Sequence, residues 1–215
     1  MVVQQEGSET RGAGATGAET RRRILAVALE LFAAQGYAGT SIRDITERMG
    51  LTKAAVYYHF ASKEQILDAV TEPLRADFAA LGEMAARRPV PAAEEILARL
   101  VDILSRRVAL IRTVMADPSA HPGHHRPPEV EEHLDRIAAA IATDRSGPAL
   151  VRARCALGAA QVGAFTTVAR AAAARPEANR PLDADRTERI LAGTEHLLSA
   201  DERVEIVAAA LRALG

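Results

Sequence analysis

The chain has 215 residues, 48% of them hydrophobic, and a formal net charge of −1 at pH 7. The near-neutral charge excludes a wholly basic binder of polyanions, and the single cysteine, Cys155, excludes an intramolecular disulfide. No apolar run is long enough to span a bilayer, so we expect a cytoplasmic protein without a membrane partner.

The charge is unevenly distributed along the chain. Residues 19–63 hold seven basic and four acidic side chains, a net of +3, which leaves −4 for the remainder. A local excess of positive charge on a mildly acidic body predicts that the N-terminal part contacts a polyanion.

Helical periodicity begins after a stretch rich in Gly, Ser, Thr and Ala. Residues 1–18 are predicted to be a flexible arm. A first helix is predicted from an N-cap at Thr20 to a stop at Gly36. A second, short helix follows Ser41, which forms a capping box with Asp44 three residues later.

Gly50 ends the second helix, and Thr52 caps a third short helix. Two short helices joined by about three residues are typical of a helix-turn-helix, in which the second helix enters a groove of DNA. A long helix then opens at Ser62. It contains Pro73, which predicts a kink.

The rest of the chain also reads as helices, and no strand is predicted. The expected helices cover about 92–116, 128–143, 148–174, 183–198 and 200–214. The predicted fold class is therefore all-α, with three short helices followed by a larger helical bundle.

Residues 52–64, TKAAVYYHFASKE, hold three of the seven aromatic residues and both lysines of the chain. Lysine neutralises a phosphate charge, and tyrosine and histidine donate hydrogen bonds to phosphate oxygens. This concentration predicts a helix end that clamps the DNA backbone. Phe60 is the exception, because we expect it to pack in the core.

The stretch TSIRDITERMGLTKAAVYYHFASKEQIL resembles the DNA-binding signature of the tetracycline-repressor (TetR) family. Thr46 and Met49 depart from the family pattern, which has alanine there, and neither is expected to contact DNA. The matching positions are Gly36, Tyr37, Thr40, Ile42, Arg43, Ile45, Gly50, Leu51, Thr52, Val56, Tyr57, His59, Phe60, Ser62, Lys63 and Leu67.

The resemblance implies a DNA-binding regulator, not an enzyme. Phosphate would be held at the N-terminus of the second helix, and Arg43 and Lys53 would reach base edges or phosphates. Arg21–Arg23 either add phosphate contacts or form an ordinary solvated helix start. The implied DNA-binding residues are Thr40, Ser41, Arg43, Thr52, Lys53, Ala54, Ala55, Tyr57, Tyr58, His59 and Lys63.

The resemblance also implies two functional domains after the arm: a helix-turn-helix domain at 19–66, and an effector-binding and dimerisation domain at 67–215. A long helix would join them. An apolar effector pocket is expected between that helix, the 92–116 helix and the 148–174 helix. Its candidate residues are Phe78, Leu104, Ile111, Arg112, Met115, Gln161, Phe165 and Thr166.

A homodimer interface is predicted from small and apolar residues near the C-terminus, although each of them could instead face the internal core. No cofactor is expected. A metal site is disfavoured for the histidines of the 117–128 loop, because they have no helical pairing and no cysteine nearby. The interface candidates are Gly158, Ala159, Ala160, Gly163, Ile190, Leu197, Val204, Val207 and Leu211, and the loop histidines are His121, His124 and His125.

The function favoured by these features is a ligand-responsive repressor. It would bind a near-palindromic operator as a homodimer and be released by a small apolar effector. The alternative is a ligand-independent or partner-controlled DNA-binding protein, acting as an activator or in chromosome organisation. An enzyme is disfavoured, because the sequence has no Ser-His-Asp spacing and no phosphate-binding loop.

Overall fold

A computed structural model describes residues 9–115, 128–142, 144, 147–174, 183–194 and 197–215. Every regular element within those residues is an α-helix, which confirms the all-α prediction. The helices are α1 Glu9–Gly39, α2 Ile42–Met49, α3 Lys53–His59, α4 Lys63–Ala85, α5 Ala93–Met115, α6 Pro128–Ile141, α7 Gly147–Ala174, α8 Ala184–Ala192 and α9 Ala200–Arg212.

The first helix begins earlier than the sequence predicts. Residues 9–18 are helical rather than a flexible arm, and Thr20 lies inside α1 instead of capping it. No proline interrupts this stretch and its alanines favour helix, so the backbone ladder of α1 continues through it. Gly36 breaks the helix as predicted, with φ 78° and ψ 165°. Residues 1–8 lie outside the described part.

The predicted helix-turn-helix is confirmed, including its caps. Ser41 and Asp44 form the capping box that starts α2, and Gly50 ends the helix in the left-handed conformation with φ 67°. The Thr52 hydroxyl then accepts a hydrogen bond from the Ala55 N–H at 3.2 Å and caps α3. Glycine suits position 50, because other side chains are strained at that φ.

The core beneath the helix-turn-helix also takes residues from the body, so a boundary at residue 66 does not separate two independent cores. Leu110 of α5 and Ile190 of α8 are fully buried in it. Its other buried members are Ile24, Ala28, Leu29, Phe32, Tyr37, Ile45, Val56, Phe60, Ile66, Leu67 and Val70.

A second core fills the body between α4, α5, α6, α7 and α9. Helix α4 contributes to both cores, with Ile66 and Val70 in the first and Phe78 and Leu81 in the second. Pro73 lies between these pairs, inside α4. The predicted 183–198 helix ends early at Ala192, because Gly193 caps it with φ 68°.

Among the described residues, no helix combines the length and the apolar character that crossing a membrane would require.

Candidate DNA-binding surface

The outer face of α3 carries the side chains that the sequence predicts for DNA contact. Lys53 and Ala54 are exposed, and Tyr57 and Tyr58 are 50% and 85% exposed. Tyrosine is enriched at binding surfaces, because its ring is apolar and its hydroxyl forms hydrogen bonds. The inner face is apolar and holds the helix in place, since Val56 and Phe60 are buried in the core.

His59 lies at the C-terminal end of α3, half-buried, with its ring edge-on to the Tyr58 ring at 5.1 Å between centroids. Cζ of Arg21 on α1 lies over the Phe60 ring, 4.7 Å from its centroid. Arg22 is paired with Glu19 at 2.6 Å. The Arg21–Arg23 run is thus partly committed to contacts within the chain.

At the start of α2, Ser41 is exposed but already engaged. Its hydroxyl and its backbone N–H both donate to Oδ2 of Asp44 at 2.7 Å. These hydrogen bonds from Ser41 hold the pKa of Asp44 below its ordinary value. The N-terminus of α2 therefore carries a carboxylate of its own beside the N–H groups that a DNA phosphate would use.

The Ser41–Asp44 contact predicts a pH-dependent stability. Because folding lowers the pKa of Asp44, its stabilisation is present above the unfolded pKa and is lost as the pH falls through the folded pKa. We expect Ser41→Ala to lower the urea midpoint at pH 7 and to have a smaller effect near pH 3. Equilibrium unfolding at both pH values measures this; an equal effect at both would contradict it.

Thr40, which is predicted to hold a phosphate, is engaged within the fold. It is only 2% exposed, and its hydroxyl donates to the Gly36 carbonyl at 2.8 Å and accepts from the Gln35 amide at 3.3 Å. Its backbone N–H donates to the Tyr37 carbonyl at 3.2 Å. Thr40 thus closes the end of α1, which disfavours the predicted contact of its hydroxyl with a phosphate.

Lys63 is half-buried and engaged within the fold, which disfavours the predicted grip on the DNA backbone. Its Nζ donates to the carbonyls of Tyr37 at 2.8 Å and Thr40 at 2.9 Å, and lies 4.1 Å from the centroid of the Tyr37 ring. The Tyr37 hydroxyl donates in turn to Glu64 at 3.2 Å. Lys63 neutralises the partial negative charge at the end of α1 and fixes it to the first turn of α4.

Arg43 remains accessible on α2. Its Nε lies 2.6 Å from Oε1 of Glu47 one helical turn away, and both side chains are mostly exposed. An exposed pair of this kind contributes little to stability, so the guanidinium is free to exchange Glu47 for a phosphate or a base edge. Thr52 is exposed as well, whereas Ala55 is half-buried.

The predicted effector residues divide between the body core and its surface. Phe78, Leu104 and Ile111 are buried in the body core, and Phe165 packs against it. Thr166 is exposed, and its hydroxyl donates to the Val162 carbonyl of its own helix at 2.7 Å, which disfavours a place in the pocket.

The remaining pocket candidates lie on α5 and α7. Gln161 is half-buried on α7, and the side chains of Arg112 and Met115 lie outside the described residues. Two surface clefts in the described part measure about 460 and 250 Å³ and lie between α1 and α8 and between α4 and α6. None of the predicted pocket residues lines either cleft. His121, His124 and His125 lie outside the described residues.

Sequence comparison decides the family of this helix-turn-helix. Residues 24–70 match the family model described as bacterial regulatory proteins, tetR family. The match assigns the helix-turn-helix domain of this chain to the tetR type. The matched residues include α2 and α3 whole, together with most of the core that supports them.

Two curated TetR relatives show how far the similarity extends. The regulator SrpR of Pseudomonas putida is 42% identical over 72 residues, which cover 32% of this chain and 34% of SrpR. The repressor AcnR of Corynebacterium diphtheriae is 31% identical over 102 residues, covering 46% of this chain and 52% of AcnR. The alignments thus span between about a third and a half of these relatives.

Solved structures extend the likeness of fold to the body. A transcriptional regulator from Aquifex aeolicus superposes with a TM-score of 0.57 at 22% identity, over 81% of this chain and 97% of the other. AmtR of Mycobacterium smegmatis gives 0.52 at 23% identity, over 89% and 92%. At these identities the comparison shows a shared helical fold alone.

Proposed function

We propose that this chain is a transcriptional regulator that binds a near-palindromic DNA operator as a homodimer and is released by a small apolar effector. The observation that carries the proposal is the exposed face of α3. Lysine, tyrosine and alanine side chains point outward there from a short helix anchored by Val56 and Phe60. Such a face suits the major groove and its flanking phosphates.

The proposed DNA contacts fall into two groups. Lys53 and Arg43 are the exposed cations that can reach base edges or phosphates, and Ala54 is small enough to touch a thymine methyl group. The backbone would be held by hydrogen-bond donors at the two helix ends. These donors are Ser41, Thr52, Tyr57, Tyr58 and His59.

The two lysines of the chain make this division testable. Lys53→Met is expected to lower the slope of log K against log salt by about one, because each lysine on a phosphate releases about one counterion. Lys63→Met should leave the slope unchanged and lower the free energy of unfolding, by about 1–3 kcal/mol, because its two hydrogen bonds lie within the fold.

Binding to one DNA duplex at several salt concentrations, together with urea unfolding, measures both quantities. Each variant is the matched control of the other. Equal slopes for wild type and Lys53→Met, or a lowered slope for Lys63→Met, would contradict the assignment.

A homodimer is supported by an exposed apolar face on α7 and α9. Val151 and Val162 of α7 and Val204 of α9 are all at least 60% exposed, and a Cβ on Gly158 would meet nothing within 4 Å. Val151 and Val162 lie three helical turns apart on one face of α7, and exposed apolar side chains on two helices favour a partner surface of the same kind.

Other predicted interface residues serve the fold of the monomer. A Cβ on Gly163 would lie 3.1 Å from Cγ2 of Ile206, so this glycine lets α7 and α9 pack closely within one chain. Ile190 and Val207 are buried in the two cores. These contacts favour the alternative for these three residues, which is that they face the internal core.

Release by an apolar effector is supported by the composition of the body core. Helices α4, α5 and α7 meet there through Phe78, Leu104 and Ile111 with Phe165 beside them, and the core is lined mainly by aliphatic side chains. Opening this core would make an apolar cavity rather than an aromatic cage. Screening acyl and terpenoid compounds for release of bound DNA tests this, and a regulator without an effector would respond to none.

A further inference from the structure

Helix α8 lies against the DNA-binding domain although it belongs to the C-terminal part of the chain. Ile190 is fully buried in the core beneath the helix-turn-helix, and Oγ1 of the buried Thr187 lies 3.5 Å from Oε1 of Glu30 on α1. On the surface, Nε of Arg22 on α1 lies 3.4 Å from Oε1 of Glu188. One side of α8 is therefore docked on α1.

The C-terminal end of α8 is held by Arg107 of α5. This side chain is 7% exposed, and its Nη1 donates to the Leu191 carbonyl at 2.8 Å and the Ile190 carbonyl at 3.3 Å. Its Nε donates to Oδ2 of Asp77 on α4 at 2.7 Å. The guanidinium thus joins two body helices to the negative end of the α8 dipole.

Gly193 makes room for this guanidinium. The residue has φ 68°, and a Cβ there would lie 2.8 Å from Cζ of Arg107. A helix of nine residues, as α8 is, has little stability of its own. Its position therefore depends on the contacts that it makes with α1 on one side and with Arg107 on the other.

Arg107 lies on α5 between residues that belong to the two different cores. Leu104, one turn before it, is buried in the body core, and Leu110, one turn after it, is buried in the DNA-binding core. A shift of α5 would therefore be passed to α1 by two routes, directly through Leu110 and through Arg107 and α8.

We propose that α8 is a strut that sets the position of the DNA-binding domain on the body, and that Arg107 is the positioning residue that fixes it. This rests on the proposed function, because the position of the domain matters only if it binds DNA. A change in the body that shifts α5 would then also shift α1. Such a linked shift would couple a site in the body to the DNA-binding surface.

Hydrogen exchange of the full-length protein tests the strut directly. We expect Arg107→Met to speed amide exchange about tenfold in α8 and in the part of α1 that faces it, while α7 and α9 keep the wild-type rate. Arg107→Lys retains the charge but not the fork of donors, so its exchange rates in α8 and α1 should lie between those of wild type and Arg107→Met. The control is Arg99→Met, on an exposed arginine of the same helix paired with Asp102 at 3.0 Å, which should match wild type.

Two results would overturn the proposal: exchange in α8 and α1 unchanged in both Arg107 variants, or exchange increased equally in all helices. If Arg107→Met does not fold, Arg107→Lys and Gly193→Ala decide the question. Gly193→Ala forces the guanidinium from its place and is expected to have the same regional effect as Arg107→Lys or a larger one.

The consequence for DNA is measured separately, with a duplex that the wild-type protein selects from a random pool. Arg107→Met should bind this duplex about tenfold more weakly, with an unchanged salt slope, because the phosphate contacts themselves are intact. Wild-type affinity in a variant with loosened α8 would overturn the positioning role. If wild type selects no duplex, the proposed function fails, whereas the exchange experiment still decides whether α8 is a strut.

Discussion

Replacing Lys53 and Tyr57 together by alanine is expected to weaken specific DNA binding by about 100-fold or more, since each lost contact costs on the order of 1–3 kcal/mol. The two side chains lie one helical turn apart on α3, and both are exposed. Neither belongs to the core, so the free energy of unfolding should change by less than about 0.5 kcal/mol.

The measurement is a titration of one labelled duplex with wild type and variant at the same salt concentration, beside their urea unfolding curves. Arg99→Ala on α5 removes the same charge from an exposed helix of the body and serves as the control. Wild-type DNA affinity in the double variant would contradict the assignment of α3 as the recognition helix. An equal loss of DNA affinity in Arg99→Ala would show that the effect comes from the change in net charge.

The second large effect is expected from Val162→Arg on α7. Val162 is 62% exposed in the single chain and lies on the proposed two-fold face. Two arginines brought together across a symmetric interface would be buried without partners, so the variant should be monomeric at micromolar concentration. Operator affinity should then fall by about 10²–10⁴-fold, because the two half-sites would be bound by separate monomers instead of one linked dimer.

Sedimentation velocity and DNA titration measure the two parts of this prediction. Val90→Arg is the matched control, since Val90 is an exposed valine in the segment between α4 and α5 and belongs to neither helix of the proposed face. A Val162→Arg variant that remains dimeric, or a wild type that is monomeric, would contradict the interface on α7 and α9.

Local chemistry explains what the sequence could predict. The caps at Ser41 and Thr52, the left-handed glycine at position 50 and the inward Phe60 depend on neighbours within a few residues, so they can be inferred from spacing alone. The outward face of α3 follows from the same helical period.

Contacts between distant segments explain what the sequence could not predict. Lys63 donates to the carbonyls of Thr40 and Tyr37, which lie 23 and 26 positions earlier in the chain. A lysine in the sequence can pair equally well with a phosphate or with the carbonyl end of a helix. Leu110 and Ile190 complete the core of a domain that lies far from them in sequence. The sequence shows that both residues are apolar. Which core they join depends on how α5 and α8 pack on α1, and that packing cannot be inferred from local spacing.

The most direct test of the central claim is selection of DNA from a random pool by the full-length protein, run in parallel with the Lys53→Ala/Tyr57→Ala variant. The account predicts that wild type enriches a near-palindromic sequence with half-sites about one helical turn apart, and that the variant enriches none. No enrichment by wild type, or the same enrichment by both proteins, would contradict it.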